Sequence, residues 1–168
     1  MIITPFSISA VREPRKSLIS GAPTAPLYLL HWKATLAYKL WVDLSTRKIG
    51  LPFDENNDVI EEVYNSWYAF FGVARELLKE LPATQINTSS ELIELTEKVL
   101  NKGLRPHLTT WQAKFRCWYD KNRADSDKEP QQLQKEYALY DELIADLKTT
   151  NSRMIEYKEL LRKIAFGK

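Results

Sequence analysis

An all-α fold is what this sequence predicts, and three observations predict it. Only 5 of the 168 residues are glycine, and strong helix formers recur throughout with few runs of β-branched residues. Four long segments carry apolar residues at alternating three- and four-residue steps, the spacing of an amphipathic helix. The joins between them are short and hold proline, glycine or clustered charge. Together these predict an antiparallel four-helix bundle of up-down-up-down order over residues 26–168, preceded by an extended N-terminal arm at 1–25.

The arm is set apart by prolines at 5, 14 and 23, with a fourth at 26, and by Gly21, which together forbid a long helix. Ile2, Phe6, Ile8 and Ala10 fall on alternate positions, so the arm has strand character without a second strand to pair with. Its backbone groups then need water, a helix surface or another chain.

The first helix is expected from 26 to 48, with Leu30, Ala34, Ala37, Trp41 and Leu44 as its seam and Leu29, Leu36 and Leu40 widening it. Gly50 and Pro52 close it. The second opens on the acids of 54–58 and carries the clearest periodicity in the chain, Ile60, Val63, Trp67, Phe70, Ala74, Leu77 and Leu81, before Pro82 ends it. Tyr64, Phe71 and Leu78 lie beside that seam and make this helix apolar over a wide arc. A third starts near 90, capped by Ser89 or Ser90, and is expected to kink near Gly103 and Pro106, where one residue weakens the helix and the other removes a donor. Leu104, Leu108, Trp111, Phe115 and Trp118 nevertheless keep the apolar phase. After the polar join at 123–130 the fourth helix carries Tyr140, Leu143, Leu147, Thr150, Met154, Tyr157, Leu161 and Ile164, with a break expected near its start.

Composition narrows the function. With 44% apolar and 11% aromatic residues the chain can bury a core without metal or disulfide staples. The single cysteine, Cys117, cannot close an internal disulfide, and no basic leader precedes the opening MIITPFSISA, so a cytoplasmic protein is expected. His31, Lys33 and Lys39 interrupt the most apolar stretch, so no transmembrane segment is expected.

The motifs that carry chemistry are missing. A di-iron bundle needs Glu-x-x-His, but Tyr28 and Leu104 stand three residues before His31 and His107. The arginine and histidine of helical ribonucleases stand several residues apart, whereas here only Pro106 separates Arg105 from His107. Cys117 and His107 lie ten residues apart, about 15 Å of rise on one helix, too far to form a nucleophile pair. No P-loop, dinucleotide fingerprint or zincin motif occurs, and no cofactor or metal is expected.

The charge is blocky. Residues 96–123 hold seven Lys or Arg against two acids, and 124–147 hold seven acids against two lysines. Successive antiparallel helix ends neutralising each other account for this pattern. The competing account is a nucleic-acid surface over 98–123, with Lys102, Arg105, His107, Lys114 and Arg116 as contacts. The leading expectation is a non-enzymatic protein–protein interaction module, a subunit of a larger bacterial-type assembly. It would bind another chain, of the same or different sequence, through Ile2, Phe6, Ile8, Arg12, Arg15 and Lys16 of the arm and through Trp32, which sits off the first helix's seam. An enzyme built on His107 and a carboxylate from another helix is the third possibility.

Overall fold

The computed structural model of the protein describes residues 27–167, with side chains from residue 31, and over that range it is helical, with no strand among the described residues. The expected arm, and with it Ile2, Phe6, Ile8, Arg12, Arg15 and Lys16, lies outside the described residues.

Helix α1 spans Leu27–Thr46 and runs into a single 3-10 turn, Lys48–Gly50. Helix α2 spans Ile60–Lys79, and a 3-10 turn at Ala83–Gln85 leads to α3, Ser90–Lys98. The chain continues without leaving helical geometry through a π segment, Val99–Leu104, the short α4, Arg105–His107, and a second π segment, Leu108–Gln112, into α5, Ala113–Arg123. The short α6, Pro130–Leu133, and a 3-10 turn, Gln134–Glu136, precede the longest helix, α7, Tyr140–Phe166.

The apolar stripes read from the sequence become the core. Ile60, Val63, Tyr64, Trp67, Phe70 and Ala74 of α2 are buried, as are Tyr140, Leu143, Leu147, Met154, Tyr157 and Leu161 of α7. They meet Leu36, Ala37, Leu40 and Leu44 of α1 and Leu104, Leu108 and Phe115 from the α3–α5 run. At roughly 1.5–3 kcal/mol for each large apolar side chain removed from water, this seam is the main term holding the helices together.

Polar contacts fix which way the neighbouring helices run. Lys48 at the end of α1 pairs with Asp58 before α2 at 2.5 Å, and Lys39, earlier in α1, pairs with Glu80 past the end of α2 at 2.8 Å. Those two contacts require opposite directions. Along α2, Asn65 accepts a hydrogen bond from Arg116 at 3.0 Å and Tyr68 donates to Gln112 at 3.1 Å, again in reverse order. Thr96 meets Tyr157 at 2.8 Å while His107 meets Asp146 at 2.8 Å, so the α3–α5 run opposes α7. Helix α7 closes on α1, with Asn151 beside Ile49 and Phe166 beside Trp41.

Two buried amides hold the loop between α1 and α2. Asn151 donates to the carbonyls of Ile49 and Leu51, both at 3.0 Å, and accepts from Phe53 N–H at 3.1 Å, which uses both amide hydrogens and the oxygen. Gln134 accepts from Ile60 N–H at 2.9 Å and donates to the Asp58 carbonyl at 2.9 Å. The start of α2 is therefore capped from a distant segment rather than by its own preceding residue. The acids of 54–58, expected to open the helix, instead build a turn in which Asp54 N–H donates to the Asp58 carboxylate at 2.8 Å. Gly50 does more than end a helix: a Cβ there would stand 2.1 Å from the Leu44 carbonyl oxygen, so only glycine lets the 3-10 turn pack back on α1.

Around Gly103 and Pro106 the helical run persists and its ladder changes register. Pro106 has no N–H to give, and the π segments on either side each take up an extra residue, a common response when the α ladder is interrupted. The Thr110 hydroxyl donates to the Pro106 carbonyl at 2.9 Å. Gly103 is buried, and a Cβ on it would reach van der Waals contact with the Met154 methyl of α7 at 3.4 Å.

Candidate functional site

His107 sits on the one-turn α4 between the two π segments, and the register they impose turns its ring inward, where the residue is 2% exposed. Its Nδ1 lies 2.8 Å from Asp146 Oδ2, on α7. Its Nε2 lies 3.1 Å from the hydroxyl of Tyr64, on α2. Trp111 Nε1 donates to the same Asp146 oxygen at 2.9 Å. The rings of Trp67 and Tyr64 pack against the imidazole at centroid distances of 5.3 and 5.7 Å.

The partners assign the protons. Burial pushes the Tyr64 hydroxyl far above the usual phenol range, with the Asp146 charge adding to it, so Tyr64 keeps its proton and donates to Nε2. Nδ1 then carries the hydrogen given to Asp146. The hydrogen bond from His107 holds the Asp146 carboxyl below its ordinary value, with the one from Trp111 helping and partial burial opposing.

Carboxylate, imidazole and hydroxyl in series is the order of an acid–base relay. Here the hydroxyl end is closed: Tyr64 is fully buried between Trp67 and Phe115, and only Asp146, about half exposed, reaches solvent. A general base or nucleophile needs a substrate within hydrogen-bond reach, and packed aromatic rings occupy that space. What this arrangement does is pin three helical stretches in one register, since sliding any of them breaks a buried hydrogen bond. Among the described residues there is no group of three or more His, Cys, Asp or Glu placed to hold a metal ion. An open surface depression of about 430 Å³ is lined by Lys121, Asp125, Asp127, Lys128 and Glu136, and the last two already pair with each other.

The middle of the third helical run thus divides: Arg105 is exposed, His107 is in the core and Trp111 is half-buried. Lys102 and Lys114 are exposed and Arg116 half-buried, whereas His107, read beside them as a phosphate contact, is inaccessible to one. The basic block finds a different partner from the one expected. Arg116 and Arg123 approach Glu61 of α2 at 3.9 and 3.7 Å, because α2 lies against this face of α5, and the ion pair of the acidic block, Lys128–Glu136, is internal to it. On α1 and just past it, Arg47 pairs with Asp43 at 2.7 Å and Lys39 with Glu80 at 2.8 Å. Cys117 is free and exposed. Trp32 is half-buried and lines a shallow groove between α1 and α2 with Leu36, Leu77 and Leu81.

Three residues that organise the interior escaped sequence reasoning. Asn151 and Asp146 were passed over, although Leu147, Asn151 and Met154 share the four-and-three step, which places an amide on the apolar stripe. Gln134 had no such signal, since its partner is 74 residues away.

No protein-family model, curated protein or solved structure matches the chain. Among the described residues no helix is long and apolar enough to cross a membrane.

Proposed function

We propose that the protein is a non-enzymatic, cytoplasmic interaction module, a four-helix bundle of up-down-up-down order that binds another polypeptide and serves as a subunit of a larger, bacterial-type assembly. Support for the bundle comes from the four opposed helix pairings, and support for a bend in the third helical run from the π segments that flank Pro106. Support for a non-enzymatic role comes from the closed Tyr64–His107–Asp146 series.

The observation that carries the interaction reading is an aromatic patch on the α1–α7 surface. Tyr38 is 48% exposed and Phe166 47% exposed; the Phe166 ring stands edge-on to Tyr38 at 6.0 Å and to the half-buried Trp41 at 5.2 Å, and Tyr38 stacks on Trp41 at 6.0 Å. A single exposed aromatic is ordinary, but three that already hold one another's orientation lose little side-chain freedom on docking, and they are the residue types that anchor interfaces.

The test is light scattering after size exclusion, with a photo-crosslinking side chain placed at residue 38. A defined assembled species that disappears in Tyr38→Ser/Phe166→Ser, with helicity unchanged, is expected. A strict monomer from which residues 1–25 can be removed without consequence would defeat the reading. Nucleic-acid binding draws less support, because Glu61 places a carboxylate between Arg116 and Arg123.

A further inference from the structure

Gly72 occupies the middle of α2, and a Cβ built on it meets no heavy atom within 4 Å among the described residues. Glycine is the weakest helix former after proline, so a mid-helix position normally keeps it for a reason of packing. Gly50 has such a reason in the Leu44 carbonyl, and at the buried Gly103 a Cβ would touch the Met154 methyl. Gly72 has none inside the described chain, and the space above it is open.

The surroundings of that notch are specific. Tyr68, one turn before it, is 47% exposed and is held in place by its hydrogen bond to Gln112. The Arg105 guanidinium lies over the ring of the adjacent Phe71, 5.4 Å from its centroid. Arg75 gives its Nε hydrogen to the Phe71 carbonyl at 3.3 Å, and Arg105 gives its own to the Asn101 amide oxygen at 3.1 Å. Both guanidiniums thus spend a hydrogen bond on a neutral oxygen, and neither has a carboxylate within ion-pair distance among the described residues. Lys98 and Lys102 are exposed on the same stripe of the third helical run as Arg105. The nearby Glu76 is engaged by Lys79 at 2.8 Å. The face shared by α2 and the α3–α5 run is therefore neutralised at its Glu61 end, while at its Gly72 end Arg75 and Arg105 stand without a carboxylate partner among the described residues.

We propose that the Gly72 notch is the crossing point for a helix of a partner protein that brings one or two carboxylates to Arg75 and Arg105. This rests on the interaction reading above and adds a second surface and the chemistry of what it binds. The absent Cβ lets the partner's backbone approach α2 closely, Tyr68 and Phe71 supply apolar contact, and the two arginines offer forked donors matched to carboxylates. The chain's own N-terminal segment is a poor occupant, since Arg12, Arg15 and Lys16 carry the same sign. A single-stranded nucleic acid fits less well, because Arg105 covers the Phe71 face on which a base would stack.

The experiment is selection of a displayed library of helical peptides against the full chain, followed by anisotropy titration of the enriched peptides and of a thymidine oligonucleotide. Enriched peptides are expected to carry Asp or Glu one turn apart beside small residues. They should bind roughly tenfold more weakly to Arg75→Ala or Arg105→Ala, and more weakly still to Gly72→Leu. Gly72→Ala separates docking from folding: the added methyl has room, so its melting temperature should hold or rise while binding weakens. Peptides without acidic enrichment, peptides that bind Gly72→Leu as well as the parent, or tighter binding of the oligonucleotide at the same arginines would overturn the assignment. Peptides lost only with Tyr38→Ser would overturn it while sparing the interaction reading. If neither surface enriches any peptide and the chain stays monomeric, both fall.

Discussion

Asn151 illustrates how much one residue can hold. Its amide is shared among two carbonyls and one N–H of a loop about a hundred residues earlier, so truncation strands buried backbone groups rather than merely deleting a bond. Asn151→Ala is expected to cost about 2–4 kcal/mol, since each buried group left unsatisfied costs roughly 1–3 kcal/mol and water can reach part of the loop. Urea denaturation would read this as a lower midpoint at unchanged slope, and a loss under about 0.5 kcal/mol would show that the loop holds itself. The glycines make a paired prediction. Gly50→Ala pushes a methyl into the Leu44 carbonyl and should destabilise by more than about 2 kcal/mol, whereas Gly72→Ala, with open space above it, should stabilise by up to about 1 kcal/mol. Residue type alone does not separate these two glycines. What distinguishes them is the return of the 3-10 turn onto Leu44, a tertiary event.

At the scale of elements, the second helix shows where local reading stops. Its stripe from Ile60 to Ala74 was legible because burial on one face imposes the 3.6-residue period directly on the sequence. Its start was not, since the Ile60 N–H is met by Gln134 from beyond α5 and no preceding side chain does that work. Gln134→Ala should fray the first turn of α2 and cost roughly 1–3 kcal/mol. Hydrogen exchange would then accelerate selectively at Ile60 and in the Asp54–Asp58 turn, and uniform acceleration across α2 would count against the cap. The third run teaches the complementary lesson. Gly103 and Pro106 led to an expected kink, and what the chain shows there is a change of ladder to π segments, because a composition signal cannot say how a helix takes up a missing donor. The continued phase from Leu104 to Phe115 is what the π segments preserve, and it places His107 in the core.

For the whole molecule, the buried series joining α2, α4 and α7 couples stability to acid. The Asp146 carboxyl is held below its ordinary 3.8 in the folded state, chiefly by the hydrogen bond from His107. A carboxyl depressed on folding contributes stability above its unfolded value and loses it as pH falls through the folded one, so this contribution should fade below about pH 4. Denaturant midpoints recorded from about pH 6 down to about pH 2 should fall less steeply for Asp146→Asn than for the parent chain. Parallel curves would show that the carboxylate's partners matter little, a real prospect for a side chain 47% exposed.

The sequence by itself determined the helical class, where the long stripes lie and much of the core, because amphipathic period is a local consequence of residue order; Ile49, Leu92, Val99, Tyr119 and Leu133 are buried outside the seams it marked, and Trp41, Leu77, Leu81 and Trp111 on those seams are only partly buried. It also located the irregularity near Pro106, since a missing N–H is a property of one residue. Only the tertiary structure decided that Asp146, His107 and Tyr64 meet, that Gln134 caps a distant helix, and that Arg116 and Arg123 face Glu61 while Arg75 and Arg105 have no carboxylate partner among the described residues. Each of these pairs residues 35 or more positions apart, or their absence, and a hydrogen bond or ion pair across such a separation leaves no period in the sequence to read.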